Sequence, residues 1–183
     1  MVEKIIKLVQ IQNLQKAFRK VFKSNDPFGA MFQSTVEERL ILCPIDGYHL
    51  NKKQFRALQN TLIAINENKI YLSEIEVEEC FSTEQCNHWE VPRITQYEEY
   101  LLTPVILENA LYSPNGKWGI LISHEEHAVI GGTAEFLSKF KEVYDDWESG
   151  IANFQKKWQY NKKHYNADIE WLSKFVAHIN RRD

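Results

Sequence analysis

The sequence has little of several features that mark specialised protein classes. Its three cysteines, Cys43, Cys80 and Cys86, cannot all pair with one another, and their spacing forms no disulfide framework, so we expect a reducing, cytoplasmic location. No stretch approaches 18 uninterrupted apolar residues, which argues against a membrane association, and residues 1–20 lack the pattern of a secretory signal. Without repeats, low-complexity tracts or Pro/Gly/Ser linkers, residues 1–183 are expected to form a single domain.

The charge is small in total but uneven along the chain. The formal net charge is −3, yet residues 1–25 and 150–183 are both rich in lysine and arginine. Between Ile70 and Gly116 the chain has nine glutamates and one basic residue, Arg93. Such an acidic block attracts cationic partners and repels nucleic acid. The basic residues at the two ends alternate with apolar ones, which favours solvated helix faces, so we expect no nucleic-acid partner.

Apolar residues recur at helical spacing near both ends. An N-terminal helix is predicted over 1–23, because an X-Pro step at Asp26-Pro27 disfavours its continuation. Its apolar positions are Ile5, Leu8, Val9, Leu14, Phe18, Val21 and Phe22. A C-terminal helical segment is predicted over 151–181, and the pattern leaves open whether it is one helix or two, divided near Asn166.

A strand–helix–strand succession follows the N-terminal helix. A short strand at 39–43 precedes a helix that Asn51 is expected to cap, with Gln54 three residues later as in a capping box. A second strand is predicted over 70–78, and its later half alternates so that Ile75 and Val77 would face inward. The residues on its opposite face would be Glu74, Glu76 and Glu78. The succession indicates either a βαβ-like unit or two strands of one sheet with a helix across it.

A hairpin signal dominates the next block. Pro114-Asn115-Gly116 separates two β-type runs, and asparagine and glycine tolerate the positive φ angles of such turns. The second run continues through the turn 124–127 into a third strand, after which Thr133 is expected to cap a helix that Gly150 ends. We therefore predict an α+β fold whose mixed or antiparallel sheet lies in a core over 35–148, with flanking helices.

No complete catalytic motif is present. His124-Glu125-Glu126-His127 has its histidines three apart between β-type runs, whereas the metalloprotease motif needs them four apart on a helix. Cys80, Cys86 and His88 could supply soft metal ligands, but their spacings of six and two are not those of structural zinc sites. We expect no cofactor, no metal and no enzymatic activity.

The acidic block offers a candidate contact surface instead. A row of like charges adds little stability, so its explanation is either a solvated sheet face or a docking surface for a basic protein. As partner-binding residues we predict Glu74, Glu76, Glu78, Glu79, Glu84, Trp89 and Glu90.

Two stretches together resemble a known group of proteins. The first is Leu42–Gly47 with Gln54–Leu58 and Tyr71–Glu76, and the second runs from Tyr112–Gly119 to Ala128–Gly132 with Glu135-Phe136. They resemble bacterial immunity-type proteins of polymorphic or contact-dependent toxin systems. The resemblance implies a small cytoplasmic protein that binds and neutralises a cognate toxin domain, and it transfers no residue set.

Two alternatives remain beside the binding protein. One is a metal-dependent hydrolase that uses His124 and His127. The other is a structural or adaptor protein whose helical ends pack against a second copy, giving a homodimer.

Overall fold

The computed structural model describes residues 1–77, 79–82 and 86–180. In that part of the chain, six helices and seven strands form one α+β domain, as the sequence predicts. In chain order they are β1 (Glu3–Lys4), α1 (Leu8–Val21), β2 (Glu38–Leu42), α2 (Lys52–Ala64), β3 (Lys69–Glu74), β4 (His88–Pro92), α3 (Tyr97–Leu101), β5 (Asn109–Tyr112), β6 (Trp118–Ser123), β7 (His127–Gly132), α4 (Ala134–Val143), α5 (Ser149–Tyr165) and α6 (Leu172–Asn180).

The strands form one sheet in the order β1-β4-β3-β5-β6-β7-β2, and every neighbouring pair is antiparallel. The predicted hairpin and the strand that follows it are therefore β5, β6 and β7. The succession β2-α2-β3 is not a compact βαβ unit, because three strands separate β2 from β3 in the sheet. Helix α2 instead crosses the sheet between two distant strands of it.

Helices cover both faces of the sheet. On one face α1, α5 and α6 enclose a core that includes Phe18, Tyr112, Phe154 and Phe175. On the other face α2, α3 and α4 pack against inward-facing strand residues such as Trp118. Alternation along each strand supplies both cores, because successive side chains point to opposite faces.

The N-terminal prediction needs a correction. The helix begins at Leu8 rather than at the first residue, and Glu3–Lys4 pairs with β4 as an edge strand that lies outside the predicted core range 35–148. Leu8 and Val9 are 64% and 69% exposed, so they do not belong to the apolar stripe. Ile5 is buried, but it lies before the helix.

The local cap and turn signals are confirmed. The Asn51 side chain accepts a hydrogen bond from the Gln54 amide, and the Gln54 side chain accepts one from the Asn51 amide, both at 3.0 Å. Gly116 has φ +67° in the β5–β6 turn. Thr133 accepts a hydrogen bond from the Phe136 amide and caps α4.

The prediction that Gly150 ends a helix is wrong. Helix α4 already ends at Val143, and Gly150 lies in the first turn of α5. There its missing side chain lets the helix approach the backbone of β2, since a Cβ atom would lie 1.8 Å from the Ile41 carbonyl oxygen. The C-terminal segment is two helices, because Asn166 has φ 55° at the end of α5.

Candidate functional site

The predicted carboxylate strand is shorter than expected. Strand β3 ends at Glu74, so Glu76 lies in the connection to β4 and not in a row with Glu74. The Glu74 side chain is also buried, at 5% exposure. Its Oε2 atom accepts hydrogen bonds from the Asn87 amide at 2.8 Å and from Asn87 Nδ2 at 2.7 Å. Glu74 therefore joins the two ends of the connection and offers no surface to a partner.

The other predicted contact residues fall into four groups. Trp89 is 5% exposed and packs in the core between the sheet and α2, so it is not a surface residue. Glu90 lies 2.7 Å from the Lys69 ammonium on the neighbouring strand. Glu76 and Glu79 are exposed. Glu78 and Glu84 lie outside the described residues.

Several glutamates of the acidic block pair with groups of the molecule itself. Glu98 pairs with Lys52 at 2.8 Å, and Glu99 lies 3.7 Å from the N-terminal ammonium. His124 Nδ1 lies 2.6 Å from Glu108 Oε1. Among residues 1–77, 79–82 and 86–180, Glu76 and Glu79 have no ion-pair partner. Within the acidic block, these two exposed glutamates both lie in the connection between β3 and β4, residues 75–87, which we call the acidic loop.

Contacts hold two described parts of the acidic loop, residues 75–77 and 79–82, to the body of the protein. Asn25 Nδ2 donates hydrogen bonds to the Ile75 and Val77 carbonyls at 3.1 Å and 3.2 Å. The buried Phe81 ring stacks on the His88 ring and contacts Phe18, with 5.1 Å between ring centroids in both cases. These contacts fix the backbone that presents Glu76 and Glu79.

A buried network of hydrogen-bonded side chains lies beneath the acidic loop. Ser73 Oγ lies 2.8 Å from both the Tyr112 hydroxyl and His88 Nδ1, and His88 Nε2 lies 3.1 Å from the Cys80 carbonyl oxygen. Burial lowers the pKa of His88 to about 4, so the ring is neutral at pH 7 and donates through Nε2 to that carbonyl. Ser73 is fully buried, which closes this serine–histidine pair to substrates. The network therefore supports the acidic loop.

Sequence reasoning missed this hydrogen-bonded network, because its side chains come from three strands. The available signal was local: Ser73 and His88 are polar residues next to apolar ones in their strands. Only the pairing of Ser73 with His88 in the β3–β4 register brings them together.

A cleft of about 430 Å³ runs beside the acidic loop. Its charged lining residues are Arg19, Lys23, Asp26, Glu76 and Glu108. Burial raises the pKa of Glu108, and its hydrogen bond with His124 opposes that shift. The cleft carries both signs of charge.

The two histidines of the 124–127 turn have different surroundings. His124 is exposed and bound to Glu108, whereas His127 is fully buried, with Nε2 3.3 Å from the Pro27 carbonyl oxygen. Burial lowers the pKa of His127 to about 4. The enclosed His127 ring cannot reach a substrate in this arrangement, so the pair does not form the centre that a hydrolase would need.

The cysteines are free thiols, and burial raises the pKa of Cys80 to about 12, away from thiolate chemistry. Within the described part of the chain, no group of three or more His, Cys, Asp or Glu side chains is arranged to hold a metal ion. In the same residues, no helix combines the length and apolar character needed to cross a membrane. No protein-family model, curated protein or solved structure matches the chain.

Proposed function

We propose that this chain is a non-enzymatic, cytoplasmic binding protein whose acidic loop receives a basic segment of a protein partner. The observation that carries the proposal is the distribution of paired charges. Glu90, Glu98 and Glu99 form ion pairs with cationic groups of the molecule itself. Glu76 and Glu79, in contrast, are exposed and have no such partner in the described residues. Opposite charge on a partner would find an electrostatic complement in these two exposed carboxylates.

The anchoring of the loop supports the same proposal. Association costs free energy when a flexible segment must be ordered, and a surface that is already fixed avoids that cost. Asn25, Phe81 and the buried His88 hold the acidic loop from below. The exposed carboxylates of Glu76 and Glu79 also steer a basic partner during diffusion, which raises the rate of association.

The resemblance to immunity-type proteins gives the partner a class. Such proteins neutralise a cognate toxin by binding it in equal proportion. A basic toxin domain, such as one that acts on nucleic acid, fits the acidic loop by charge. We therefore propose toxin neutralisation as the biological role.

A defined polycation tests the location of the surface. An octalysine peptide with a fluorescent label is titrated with the protein at low salt, and anisotropy gives the affinity. The double variant Glu76→Lys/Glu79→Lys is expected to weaken binding about tenfold or more, because two attractive charges become repulsive. The matched control Glu135→Lys/Glu170→Lys reverses two exposed glutamates elsewhere and is expected to weaken binding much less. Equal losses in the two variants would remove the acidic loop from the proposal.

Growth of bacteria tests the role. A toxin module encoded beside the gene for this chain is expressed alone or together with it. Co-expression is expected to restore growth, and the Glu76→Lys/Glu79→Lys variant is expected to lose protection while the control variant keeps it. If co-expression with the unaltered chain does not protect, the proposed neutralisation of that toxin is wrong. Light scattering on the purified chain tests the adaptor alternative, which requires a dimer without any partner.

A further inference from the structure

The outer face of α5 carries a tyrosine between two lysines. Lys156, Tyr160 and Lys163 are all exposed and follow one another at spacings of four and three residues. Residues at such spacings share one face of a helix. The core side of α5 is formed by Gly150, Phe154 and Trp158, so the Lys156-Tyr160-Lys163 stripe points away from the domain.

Aromatic rings are exposed on this part of α5. Tyr160 is 53% exposed and Tyr165 is 73% exposed. The Tyr160 ring lies on the His164 ring with 4.2 Å between centroids and a 30° angle between planes, and it is 6.1 Å from the Tyr165 ring. One side of Tyr160 is thus supported by a neighbouring ring while much of its surface remains accessible.

The lysines of this face are not neutralised by the domain. Lys157, on the flank of α5, pairs with Glu126 at 3.0 Å. Lys156, Lys162 and Lys163, in contrast, have no ion-pair partner among the described residues. Cations near a helix C-terminus gain from the helix dipole, which accounts for Lys162 and Lys163. It does not account for an exposed tyrosine flanked by lysines.

We propose that the Lys156-Tyr160-Lys163 face of α5 binds single-stranded nucleic acid. Lysines meet phosphates, and an exposed ring gives an unpaired base a surface on which to stack. With a rise of about 1.5 Å per residue, the two lysines are roughly 10 Å apart along the helix, one on each side of the ring. Duplex bases are already stacked on one another, so they cannot use Tyr160. The face lies on a different element from the acidic loop, and the proposal does not depend on the proposed function.

The sequence alone favoured solvated helix faces and no nucleic-acid partner, because the basic residues alternate with apolar ones. That reasoning took no account of Tyr160 and Tyr165. The structure places both rings in solvent, beside lysines that have no ion-pair partner among the described residues. This placement favours a nucleic-acid partner over a merely solvated helix face.

Fluorescence anisotropy with labelled twenty-nucleotide dT and U strands tests the proposal in 20 mM NaCl at pH 7. Binding in the micromolar range is expected, and its affinity should fall with salt at a log–log slope of about −2 if three phosphates are contacted. Lys156→Glu/Lys163→Glu should lower the affinity more than tenfold and flatten the slope. Tyr160→Ala should lower the affinity about tenfold with the slope unchanged, and Tyr160→Phe should restore it.

The matched control is Lys16→Glu/Lys174→Glu, which reverses two exposed lysines on α1 and α6. It should leave binding within about twofold of the unaltered protein, and thermal melts check that all variants fold. The proposal is overturned if the control loses as much affinity as Lys156→Glu/Lys163→Glu, or if Tyr160→Ala binds as well as the unaltered chain. It is also overturned if duplex DNA or vesicles of phosphatidylserine and phosphatidylcholine bind as tightly as the single strands. Preference for U over dT strands would assign the face to RNA, and equal affinity would assign it to single strands of both kinds.

Discussion

Glu67 accepts a hydrogen bond from the indole of Trp118, with 2.9 Å between Oε2 and Nε1. The carboxylate is 8% exposed and the indole is fully buried. The other carboxylate oxygen, Oε1, accepts a hydrogen bond from Ser113 Oγ at 2.7 Å. Glu67, which follows α2, thus binds residues at both ends of the β5–β6 turn. These hydrogen bonds connect the hairpin to α2 on the same face of the sheet.

Glu67→Ala should destabilise the protein by about 3 kcal/mol, because it leaves the Trp118 and Ser113 donors buried without an acceptor. Urea unfolding followed by tryptophan fluorescence measures the free energy of unfolding. Glu135→Ala, at an exposed position in the first turn of α4, should change it by less than about 0.5 kcal/mol. A loss at Glu67 no larger than that of the control would show that the carboxylate does not hold the hairpin.

Gly150→Ala should destabilise the protein although alanine normally favours a helix over glycine by about 1 kcal/mol. The added Cβ would overlap the Ile41 carbonyl, so α5 must move away from β2 at a cost of about 2 kcal/mol or more. Thermal unfolding compares it with Gly29→Ala, where the added Cβ meets only the side chain of the exposed Asp26. A stabilised Gly150→Ala protein would contradict the close approach of α5 to the edge strand.

Stability should fall as the pH falls from about 6.5 towards 4. Burial lowers the pKa values of His88 and His127 to about 4, so the unfolded chain binds protons in this range that the folded protein does not. Each histidine should cost about 2 kcal/mol between pH 7 and pH 5. His127→Phe should remove one of these contributions, whereas His164→Phe, at an exposed position on α5, should leave the pH dependence as it is. Urea unfolding at several pH values measures the slopes, and identical slopes in all three proteins would refute the assignment to His127.

Asn25→Ala should loosen the acidic loop without unfolding the domain. The change removes the hydrogen bonds to the Ile75 and Val77 carbonyls, for a loss of about 1 to 2 kcal/mol. Hydrogen exchange measured by mass spectrometry should show faster exchange in the peptides that cover the loop. Asn13→Ala, at an exposed position on α1, is the control and should exchange like the unaltered protein. Unchanged exchange in Asn25→Ala would show that other contacts hold the loop.

The elements that the sequence predicted best are those encoded by neighbouring residues. Asn51 and Gln54 form their capping box within four residues, and Pro114-Asn115-Gly116 forms a turn on its own. Both signals describe local geometry, which distant parts of the chain did not override.

The candidate site was predicted less well, because burial there depends on distant partners. The sequence pattern predicts Glu74 at the surface, yet Asn87, at the other end of the acidic loop, donates two hydrogen bonds to its carboxylate. The sequence pattern predicts that Gly150 ends a helix. Its real role depends on β2, which lies against it although that strand is more than a hundred residues earlier in the chain. Glu76 and Glu79 were placed correctly at the surface, since nothing in the described structure covers them.

The pairing of β2 with β7 has a consequence for how the protein is made. Glu38 lies opposite Gly132 and Leu42 lies opposite Ala128, so the first strand of this pair is synthesised long before the second. At about 5 to 20 residues per second, the roughly 90 residues between them take about 5 to 20 seconds to produce. During that interval Leu40, Ile41 and Leu42 have no neighbouring strand, and the nascent chain presents an apolar segment of the kind that chaperones bind.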